Sequence, residues 1–223
     1  MTRPDKTDWE QYYRRPHATA LLTRAITGRR LLGAVRRHLP PQPPGQMVVL
    51  ELGGGGGSFH EIISRRLRPL RHHLADRSLA GLTSLGSAPL ADPAVFCHVC
   101  DVRDCRLPLK ADLVFSVGLI EHFTPQDTRR VIDTHFAHAA PGGLVIITFP
   151  TPTWLYRLAR RLAEALRLWR FPDERPLQMA EVLQDLEGKG EVVEQDIIWP
   201  IVYTQGLVVI KTGAAQTAPA LQR

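Results

Sequence analysis

A run of five glycines, residues 53–57, constrains the fold of this chain more than any other stretch of its sequence. An apolar β-type segment, Val48–Leu52, precedes the run, and an amphipathic segment begins directly after it. Because glycine has no Cβ, the backbone there can adopt positive φ and approach a ligand closely. A helix that starts behind the loop offers free N–H groups and a positive dipole end. The stretch therefore predicts the entry unit of a nucleotide-binding α/β fold.

The spacing of the glycines indicates which nucleotide the loop would hold. A dinucleotide loop, G-x-G-x-x-G, needs a small third residue, but counting from either of the first two glycines places serine or phenylalanine there. The pattern Glu51-x-Gly53-x-Gly55-x-Gly57 resembles the first motif of class I S-adenosylmethionine-dependent methyltransferases instead. The resemblance implies that these glycines line the amino-acid portion of the cofactor, whose positive charges favour a carboxylate at Glu51. A flexible linker, the other interpretation of a glycine run, does not fit between a strand and a helix.

The composition predicts an ordinary globular chain that folds around one core. Its 223 residues are 44% hydrophobic, and no apolar stretch is long enough to cross a membrane. The N-terminus lacks the apolar core of a signal peptide, and three cysteines fit a reducing compartment better than a disulfide framework, so the predicted localisation is cytoplasmic. The net charge of +6 comes from scattered arginines without a recognisable nucleic-acid-binding module, so nucleic acid is not the expected partner.

Asp76 and Asp101 are expected to bind the rest of the same cofactor. Asp76 follows a predicted strand, Leu70–Ala75, about 20 residues beyond the glycine loop, where a carboxylate can accept hydrogen bonds from two ribose hydroxyls. The alternative is that Asp76 only caps a helix over Ser78–Leu85. Asp101 ends the third predicted strand, and its carboxylate with the N–H of Val102 matches the donor and acceptor on one edge of adenine. Similar methyltransferases often carry an acidic residue there.

The segment Ala111–Phe123 extends the resemblance to the fourth strand. It is similar to the fourth-strand motif of methyltransferases that act on small molecules and quinone precursors, in which a Glu-His pair follows the strand. There the strand end borders the reactive methyl, which implies a cofactor contact for Ser116. The turn Pro141–Gly143 and the strand Leu144–Pro150 match the next part of the family pattern. The resemblance therefore covers nearly half of the chain.

Glu121 and His122 are the predicted catalytic residues. His122 can take the proton that a hydroxyl or amine releases on methylation, since the pKa of histidine lies near operating pH. The alternative is a structural histidine, because methyl transfer often needs only alignment. Glu121 is expected to orient an acceptor, to help seat the cofactor or to cap the next helix. In quinone O-methyltransferases that resemble this segment, a further upstream acid helps to form a metal site; Gly118 stands there in this chain, so no metal is predicted.

Segments on either side of the resemblance are expected to cover the pocket. Thr7 and Glu10 form a predicted capping box, and the aromatic residues of that helix either line the cofactor pocket or pack on the core: Trp9, Tyr12 and Tyr13. Thr153–Arg170 predicts a basic amphipathic helix. One interpretation is a lid whose apolar face covers the acceptor pocket. A second interpretation, compatible with the first, is peripheral contact with an anionic membrane surface.

These observations predict an α/β fold with a Rossmann-like, seven-stranded, mostly parallel sheet, helices on both faces, an N-terminal helical cap and a lid helix after the fifth strand. Residues 1–45 form the predicted cap and Pro-rich linker, 46–212 the methyltransferase domain and 213–223 a flexible tail. The predicted function is transfer of a methyl group from S-adenosyl-L-methionine to an O, N or C nucleophile of a small molecule. An RNA or DNA methyltransferase and a non-catalytic binding protein with this fold are the alternatives.

Overall fold

A seven-stranded sheet forms the centre of the structure, a computed structural model that describes residues 7–14, 20–85, 94–169, 171–198 and 204–214. The strands are β1 (Val48–Leu52), β2 (Arg71–Asp76), β3 (Val95–Val99), β4 (Ala111–Val117), β5 (Ala139–Pro150), β6 (Glu191–Ile198) and β7 (Gln205–Lys211). They lie in the order β3-β2-β1-β4-β5-β7-β6. β1 to β5 are parallel, whereas β7 runs antiparallel to both β5 and β6. The predicted seven-stranded, mostly parallel sheet is confirmed.

Helices flank the sheet on both faces, as predicted. Within the described ranges they are α1 (Trp9–Arg14), α2 (Ala20–His38), α3 (His60–Leu67), α4 (Leu79–Thr83), α5 (Pro125–His138), α6 (Trp154–Ala165) and α7 (Met179–Asp185). A short 3-10 turn, Ile120–His122, follows β4. In this arrangement the strands and crossover helices of an α/β fold follow one another along the chain.

Alternating side chains of the sheet enter two hydrophobic layers, because successive strand residues point to opposite faces. On one face, a buried layer joins β5 to α2 and α3 through Leu144, Ile146, Leu31 and Ile63. On the other face, a buried layer joins β5 to α5 and α7 through Val145, Ile147, Val131 and Val182. Both faces of the central strands are therefore covered, which explains their continuous apolar sequences.

The acidic residues of the predicted cofactor site lie at one edge of this sheet. Glu51 stands next to the end of β1, Asp76 ends β2, and Asp101 follows β3. The strand order reverses between β1 and β4, and in open α/β sheets a ligand crevice forms at the carboxyl ends of strands beside such a reversal. The fold thus places the candidate site at the position expected for this architecture.

Helices α5 and α6 begin where their sequences predict. The side chain of Thr124 accepts a hydrogen bond from the N–H of Asp127 at 3.2 Å, and Pro125 occupies the first turn. Thr153 accepts in the same way from the N–H of Tyr156 at 3.3 Å. These caps satisfy N–H groups that the helices themselves leave free.

The predicted capping box at the start of α1 is wrong. Asp8 caps this helix instead, since its carboxylate accepts a hydrogen bond from the N–H of Gln11 at 3.0 Å. The hydroxyl of Thr7 donates to Asp173, and Glu10 accepts from the N–H of Ala80 at 3.2 Å. Both side chains therefore tie α1 to distant parts of the chain.

The structure contains one disulfide bond, although the odd number of cysteines was expected to fit a reducing compartment better than a disulfide framework. Cys100 and Cys105 form a disulfide bond, with their Cα atoms 5.6 Å apart, and Cys97 is free and exposed. The prediction extended the third strand through Cys100, but β3 ends at Val99. Cys100 therefore lies in the loop that follows the strand and meets the cysteine five residues later.

The predicted domain boundaries stay predictions. Helix α2 falls within the predicted N-terminal cap, yet its Leu31 and Val35 pack into the hydrophobic layer of the sheet. Of the predicted tail, residues 213–223, all but the first two lie outside the described residues. No helix in the described ranges is both long enough and apolar enough to cross a membrane.

Candidate active site

A cavity of about 1320 Å³ lies at the carboxyl ends of the strands. Its lining includes Glu51, Asp76 and Asp101, the three carboxylates that the sequence assigns to the cofactor. Gly53 and Val102 also line it, as do Gly55, Glu121 and His122. Two predicted cofactor residues, Gly57 and Ser116, are absent from the lining. The structure therefore brings most of the predicted site together around one space.

Glu51 keeps one carboxylate oxygen without a hydrogen bond. Its side chain is buried, and Oε2 has no partner among the described residues. The nearest basic atom is Nε2 of His72, which lies 3.7 Å away and is also buried without a hydrogen bond. A buried, unpaired carboxylate oxygen is costly, so this position favours a positively charged or hydrogen-bonding ligand.

Asp76 is buried and already holds part of the glycine loop. Its Oδ2 accepts from the N–H of Gly55 at 2.9 Å and from the Tyr13 hydroxyl at 3.3 Å, and its Oδ1 accepts from the N–H of Ser78 at 2.8 Å. Burial raises the pKa of Asp76, although these hydrogen bonds oppose the rise. Ser78 is the N-cap of α4, since its hydroxyl accepts from the N–H of Gly81 at 2.9 Å. Asp76 is therefore not the cap of that helix.

Two glycines of the loop are required by close contacts. A Cβ on Gly55 would stand 2.6 Å from Oδ2 of Asp76 and 2.8 Å from Cζ of Tyr13. Gly57 has a φ of +57°, and a Cβ there would stand 1.9 Å from a methyl group of Leu85. The missing Cβ of Gly55 thus allows the loop to pack against Asp76 and Tyr13 at the cavity. Gly57 allows the loop to adopt a positive φ and to pack against Leu85, which follows α4.

Asp101 lies at a more exposed part of the cavity. Its carboxylate pairs with the guanidinium of Arg103, with Nη2 and Oδ2 2.6 Å apart. The hydrogen bonds from Arg103 lower the pKa of Asp101 to about 2, against the effect of partial burial. Ser116 is fully buried in β4, where its hydroxyl lies 2.9 Å from Nε2 of His135. The geometry gives no support to a cofactor contact through the Ser116 side chain.

A second group of titratable side chains lines the same cavity. Nδ1 of His122 lies 3.2 Å from Oδ1 of Asp173, and its Nε2 lies 3.8 Å from Oε1 of Glu121. Glu174 accepts a hydrogen bond from the hydroxyl of Tyr156. The candidate ligand atoms of Glu121, His122 and Glu174 all lie within 4.8 Å of one another. The predicted catalytic pair therefore has two acidic neighbours that the sequence pattern did not reveal.

The charge states in this group follow from burial and from the neighbouring ions. Burial raises the pKa of Glu121 to about 8, more than the neighbouring His122 lowers it. Burial alone would lower the pKa of His122, but the hydrogen bond to Asp173 and the nearby carboxylates raise it above its usual value. Burial opposes ionisation of Asp173, yet its hydrogen bonds with His122 and Thr7 lower its pKa to about 2. At neutral pH, Asp173 is the anion that holds the imidazole, and Glu121 is mainly protonated.

Aromatic side chains cover the histidine. The ring of Trp9 meets His122 edge-on with centroids 4.8 Å apart, and Phe171 lies 5.8 Å from the same imidazole. Tyr12 packs on Phe171 at 5.5 Å. All three aromatic residues line the cavity. Of the two interpretations of the N-terminal aromatic residues, the one that places them at the pocket agrees with this arrangement.

Comparison with known proteins places this geometry in a family. The sequence profile described as a methyltransferase domain matches residues 24–184, which is most of the chain. The chain belongs to the S-adenosylmethionine-dependent methyltransferases. The predicted enzyme class and the predicted cofactor, S-adenosylmethionine, are thereby confirmed. A search of curated protein sequences found no match.

Solved structures share the fold of this methyltransferase at low sequence identity. A chain in the complex between the Haloferax volcanii Trm112 methyltransferase activator and a methyltransferase has a TM-score of 0.70 and 16% identity, over 96% of this chain and 100% of that one. Magnesium protoporphyrin IX methyltransferase from Synechocystis PCC 6803, with bound S-adenosylhomocysteine, has a TM-score of 0.66 and 14% identity. That match covers 87% of this chain and 84% of the other. An O-methyltransferase family protein from Burkholderia thailandensis has a TM-score of 0.62 and 17% identity. The match covers 76% of this methyltransferase but only 52% of that protein.

The cavity of the methyltransferase fits its cofactor chemically. The unpaired oxygen of Glu51 suits the ammonium group, and the absent Cβ of Gly55 leaves backbone close to the cavity. Asp76 and Asp101 supply acceptors for the hydroxyl and amine groups of adenosine. The lining thus offers carboxylate acceptors that suit the ammonium, hydroxyl and amine donors of the cofactor.

Sequence reasoning missed several residues of the methyltransferase site. Asp173, Glu174 and Arg175 all line the cavity, and the only local signal is a charged triplet directly after Phe171 and a proline. Arg175 donates its backbone N–H to the carbonyl of Glu121 at 2.9 Å, which ties this segment to the 3-10 turn Ile120–His122. Such contacts join residues far apart in the chain and leave no periodic pattern.

Proposed function

We propose that this methyltransferase transfers a methyl group to an oxygen, nitrogen or carbon nucleophile of a small molecule bound beside His122. The observation that carries the proposal is one cavity with two chemically different parts. One part holds carboxylates and glycine backbone, and the other holds an imidazole between acids beneath aromatic rings. The cavity volume of about 1320 Å³ is sufficient for a cofactor and a small acceptor together.

In the proposed cofactor site, each acidic residue binds a different part of the molecule. Glu51 holds the ammonium group, and Gly53 and Gly55 let the backbone approach the amino-acid portion. Asp76 accepts from the ribose hydroxyls. Asp101 and the N–H of Val102 bind the edge of adenine. Bound S-adenosylmethionine supplies an electrophilic methyl group on a sulfonium; the residues around it hold its ends in place.

In the proposed acceptor site, the residues of the 3-10 turn orient the nucleophile and accept the proton that it releases. Asp173 binds Nδ1 of His122, so Nε2 is the nitrogen left to face an acceptor. Once deprotonated, His122 takes a proton from a hydroxyl or an amine. The protonated Glu121 can donate a hydrogen bond to an acceptor oxygen. Trp9 and Phe171 limit the access of water to this pair.

Isothermal titration calorimetry with S-adenosylhomocysteine tests the cofactor site. The wild-type protein is expected to bind, and Asp76→Ala is expected to weaken binding by about tenfold or more, because hydrogen bonds to a charged group contribute roughly 1.5–3 kcal/mol. Asp133→Ala is the control, since Asp133 pairs with Lys189 on the exposed surface. Absence of binding, or equal affinity of Asp76→Ala and wild type, would contradict the assignment.

A methylation screen with labelled S-adenosylmethionine tests the acceptor class. Small metabolites bearing hydroxyl, amine or activated carbon groups are the expected acceptors. His122→Ala is expected to lower the rate with a hydroxyl or amine acceptor by about 100-fold, the usual contribution of a general base, while leaving S-adenosylhomocysteine affinity unchanged. Label transfer to RNA or DNA alone would refute the small-molecule proposal without affecting the cofactor assignment.

A further inference from the structure

The outer face of α6 is apolar and exposed. Trp154, Leu158 and Leu162 lie four residues apart and form one stripe along the helix. They are 72%, 49% and 56% exposed. Leu166 and Leu168 extend the apolar surface beyond the helix end at 67% and 69% exposure. Contiguous exposure of large apolar side chains marks a surface that meets something other than water. Within the predicted lid, Thr153–Arg170, Ala163 and Trp169 line the cavity, whereas the leucines of its predicted apolar face at 158, 162 and 166 are exposed.

The opposite side of α6 is occupied by contacts with the rest of the protein. Tyr156 is buried and bonds to Glu174. Arg160 lies 5.0 Å above the ring centre of Trp169 and donates to the carbonyl of Glu174 at 3.1 Å. Turning the exposed stripe toward the cavity would break these contacts. The stripe is therefore available to an external surface.

Unpaired arginines border the stripe. Arg157 and Arg161 are exposed and lie one turn apart, and at 100° per residue their row runs beside that of Trp154 and Leu158. In the described part of the chain, neither forms a salt bridge. Glu164, the one acidic residue of α6, pairs with Arg160 at 3.0 Å and so does not neutralise this row. The face thus combines exposed apolar side chains with uncompensated positive charge.

We propose that this face, formed by Trp154, Arg157, Leu158, Arg161 and Leu162, docks on an anionic membrane surface. An amphipathic helix of this kind lies in the interface with its apolar side chains among the headgroups, while the arginines bind anionic lipids. A second copy of the chain fits less well, because a symmetric contact would bring the same arginine rows together. Docking through this face is peripheral and leaves the fold intact.

Docking also brings the membrane close to the active-site cavity. Arg167 and Leu168 follow the end of α6 and line the cavity, together with Ala163 on the helix itself. An acceptor dissolved among the lipids would thus reach the site without crossing bulk water. This consequence rests on the proposed function, whereas the docking itself does not.

Vesicle sedimentation tests the docking. The wild-type protein is expected to sediment with phosphatidylcholine vesicles that contain phosphatidylglycerol, and not with phosphatidylcholine alone. Raising the ionic strength from about 0.05 M to about 0.5 M should release it, because salt screens the arginines. Arg157→Gln with Arg161→Gln should weaken the partition by about tenfold or more. Leu158→Ser with Leu162→Ser should abolish the binding to vesicles.

Tryptophan fluorescence provides a second measurement. The emission of Trp154 should shift to the blue on binding, and Trp154→Phe should remove that shift.

A matched control changes the same residue types elsewhere. Arg66 is exposed, and Leu70 is 49% exposed, the same fraction as Leu158. Arg66→Gln with Leu70→Ser should sediment as the wild type does. Failure of the wild type to bind the anionic vesicles, or equal loss in this control, would overturn the proposal. So would a dimer that Leu158→Ser with Leu162→Ser converts to a monomer without any vesicle binding. S-Adenosylhomocysteine calorimetry on every variant reports whether the cofactor site is intact, so failure of docking and failure of the proposed function are distinguishable.

Discussion

Asp173 connects two parts of the active site through one carboxylate. Its Oδ1 lies 3.2 Å from Nδ1 of His122 and also accepts a hydrogen bond from the hydroxyl of Thr7. Because Asp173 carries the negative charge in this arrangement, it holds the imidazole in one orientation and favours the protonated form. The orientation and the pKa of His122, the proposed base, therefore depend on a residue that the glycine and strand motifs do not contain.

The pH dependence of catalysis tests this relation. His122 acts as a base only when deprotonated, and its pKa is raised, so the rate should increase as the pH rises through that value. Asp173→Asn removes the anion, so the rise should occur at lower pH, while the maximal rate falls because the imidazole is less well oriented. The pH profile of kcat/KM measures both effects. An unchanged profile in Asp173→Asn would mean that His122 is not the titrating base.

Charge also bears on whether the site binds a metal. Glu121, His122 and Glu174 are near enough to share an ion. However, burial keeps Glu121 mainly protonated at neutral pH, and Tyr156 and Arg160 contact the carboxylate of Glu174. A divalent cation would have to displace a proton and compete with a guanidinium.

The sequence prediction of a metal-independent enzyme therefore stays as a testable expectation. Dialysis against EDTA should leave methyl transfer within about twofold of its starting rate, and added Mg²⁺ or Mn²⁺ should not increase it. Calorimetry with MnCl₂ provides a second measurement that does not depend on the acceptor. Loss of activity in EDTA that Mg²⁺ or Mn²⁺ restores, together with saturable Mn²⁺ binding, would show that the prediction is wrong.

The positions of residues at strand ends could be predicted from the sequence. Contacts with side chains from distant parts of the chain could not. The acids at the ends of β1, β2 and β3 follow from strand position, so their presence at one cavity could be predicted. Thr7 was predicted to cap α1, but its hydroxyl bonds to Asp173, 166 residues away. Ser116 was assigned from the family motif, but its side chain faces His135 on α5. The capping of α1 by Thr7 is thus wrong, and the geometry does not support a cofactor contact through Ser116; in both cases the sequence did not show which partner the hydroxyl meets.

At the scale of secondary-structure elements, α1 is the part that joins the cofactor side to the acceptor side. Tyr13 lies over the glycine loop and bonds to Asp76, whereas Trp9 covers His122. Burial and the neighbouring carboxylate raise the pKa of Tyr13, so its hydroxyl stays protonated and donates. That donation lowers the pKa of Asp76 and so favours the ionised form, which is the form proposed to accept from ribose.

Removing the Tyr13 hydroxyl should therefore weaken cofactor binding. Tyr13→Phe is expected to raise the Kd for S-adenosylhomocysteine by about two- to tenfold, the usual effect of one hydrogen bond. Tyr12→Phe is the matched control, because the hydroxyl of Tyr12 forms no hydrogen bond within the described residues. Calorimetry compares the two variants. Equal or tighter binding by Tyr13→Phe would mean that the hydroxyl leaves Asp76 when the cofactor binds.

Helix α6 shows which of its properties an amphipathic pattern could predict and which it could not. Its start, its length to within a few residues and its amphipathic character follow from Thr153 and from the spacing of its leucines. Which face points inward does not follow from that spacing. Tyr156, Arg160 and Trp169 determine it through contacts with one another and with Glu174. An amphipathic pattern thus predicts a helix more reliably than it predicts what the apolar face meets.

At the scale of the whole molecule, the strand order brings distant sequence motifs to one edge. The seven-stranded, mostly parallel sheet could be predicted from the family resemblance, whereas the order of its strands is an observation of the structure. The segment after α6 diverges from any pattern, yet it supplies Asp173 and Glu174. The part of the cavity that is proposed to bind the cofactor was therefore predictable, whereas the part that is proposed to select the acceptor was not.

The buried acids make global stability depend on pH. Burial raises the pKa of Glu121 to about 8 and also raises that of Glu174, so the folded state retains protons that the unfolded state releases. A raised folded pKa contributes stability below the unfolded value, and that contribution is lost as the pH rises through the folded value. The contribution of Glu121 to the Tm should therefore be lost between about pH 5 and about pH 8, whereas His73 and His135, whose pKa values burial lowers to about 4, contribute with the opposite sign as the pH rises toward about 6.5.

Differential scanning calorimetry measures this dependence. Glu121→Gln keeps a neutral side chain of similar shape at every pH, so its Tm should fall less over the same range. Asp133→Asn, on the exposed surface, should follow the wild type. A Glu121→Gln curve parallel to that of the wild type would contradict the raised pKa of Glu121.

The bond between Thr7 and Asp173 has a further consequence for the catalytic cycle. The same carboxylate accepts from Thr7, next to the first helix, and contacts the imidazole of His122. In the proposed function, a change that removes the bond to Thr7 would therefore alter both the attachment of the first helix and the surroundings of the proposed base. The cover over the cavity and the proton-accepting group are thus linked through one shared side chain.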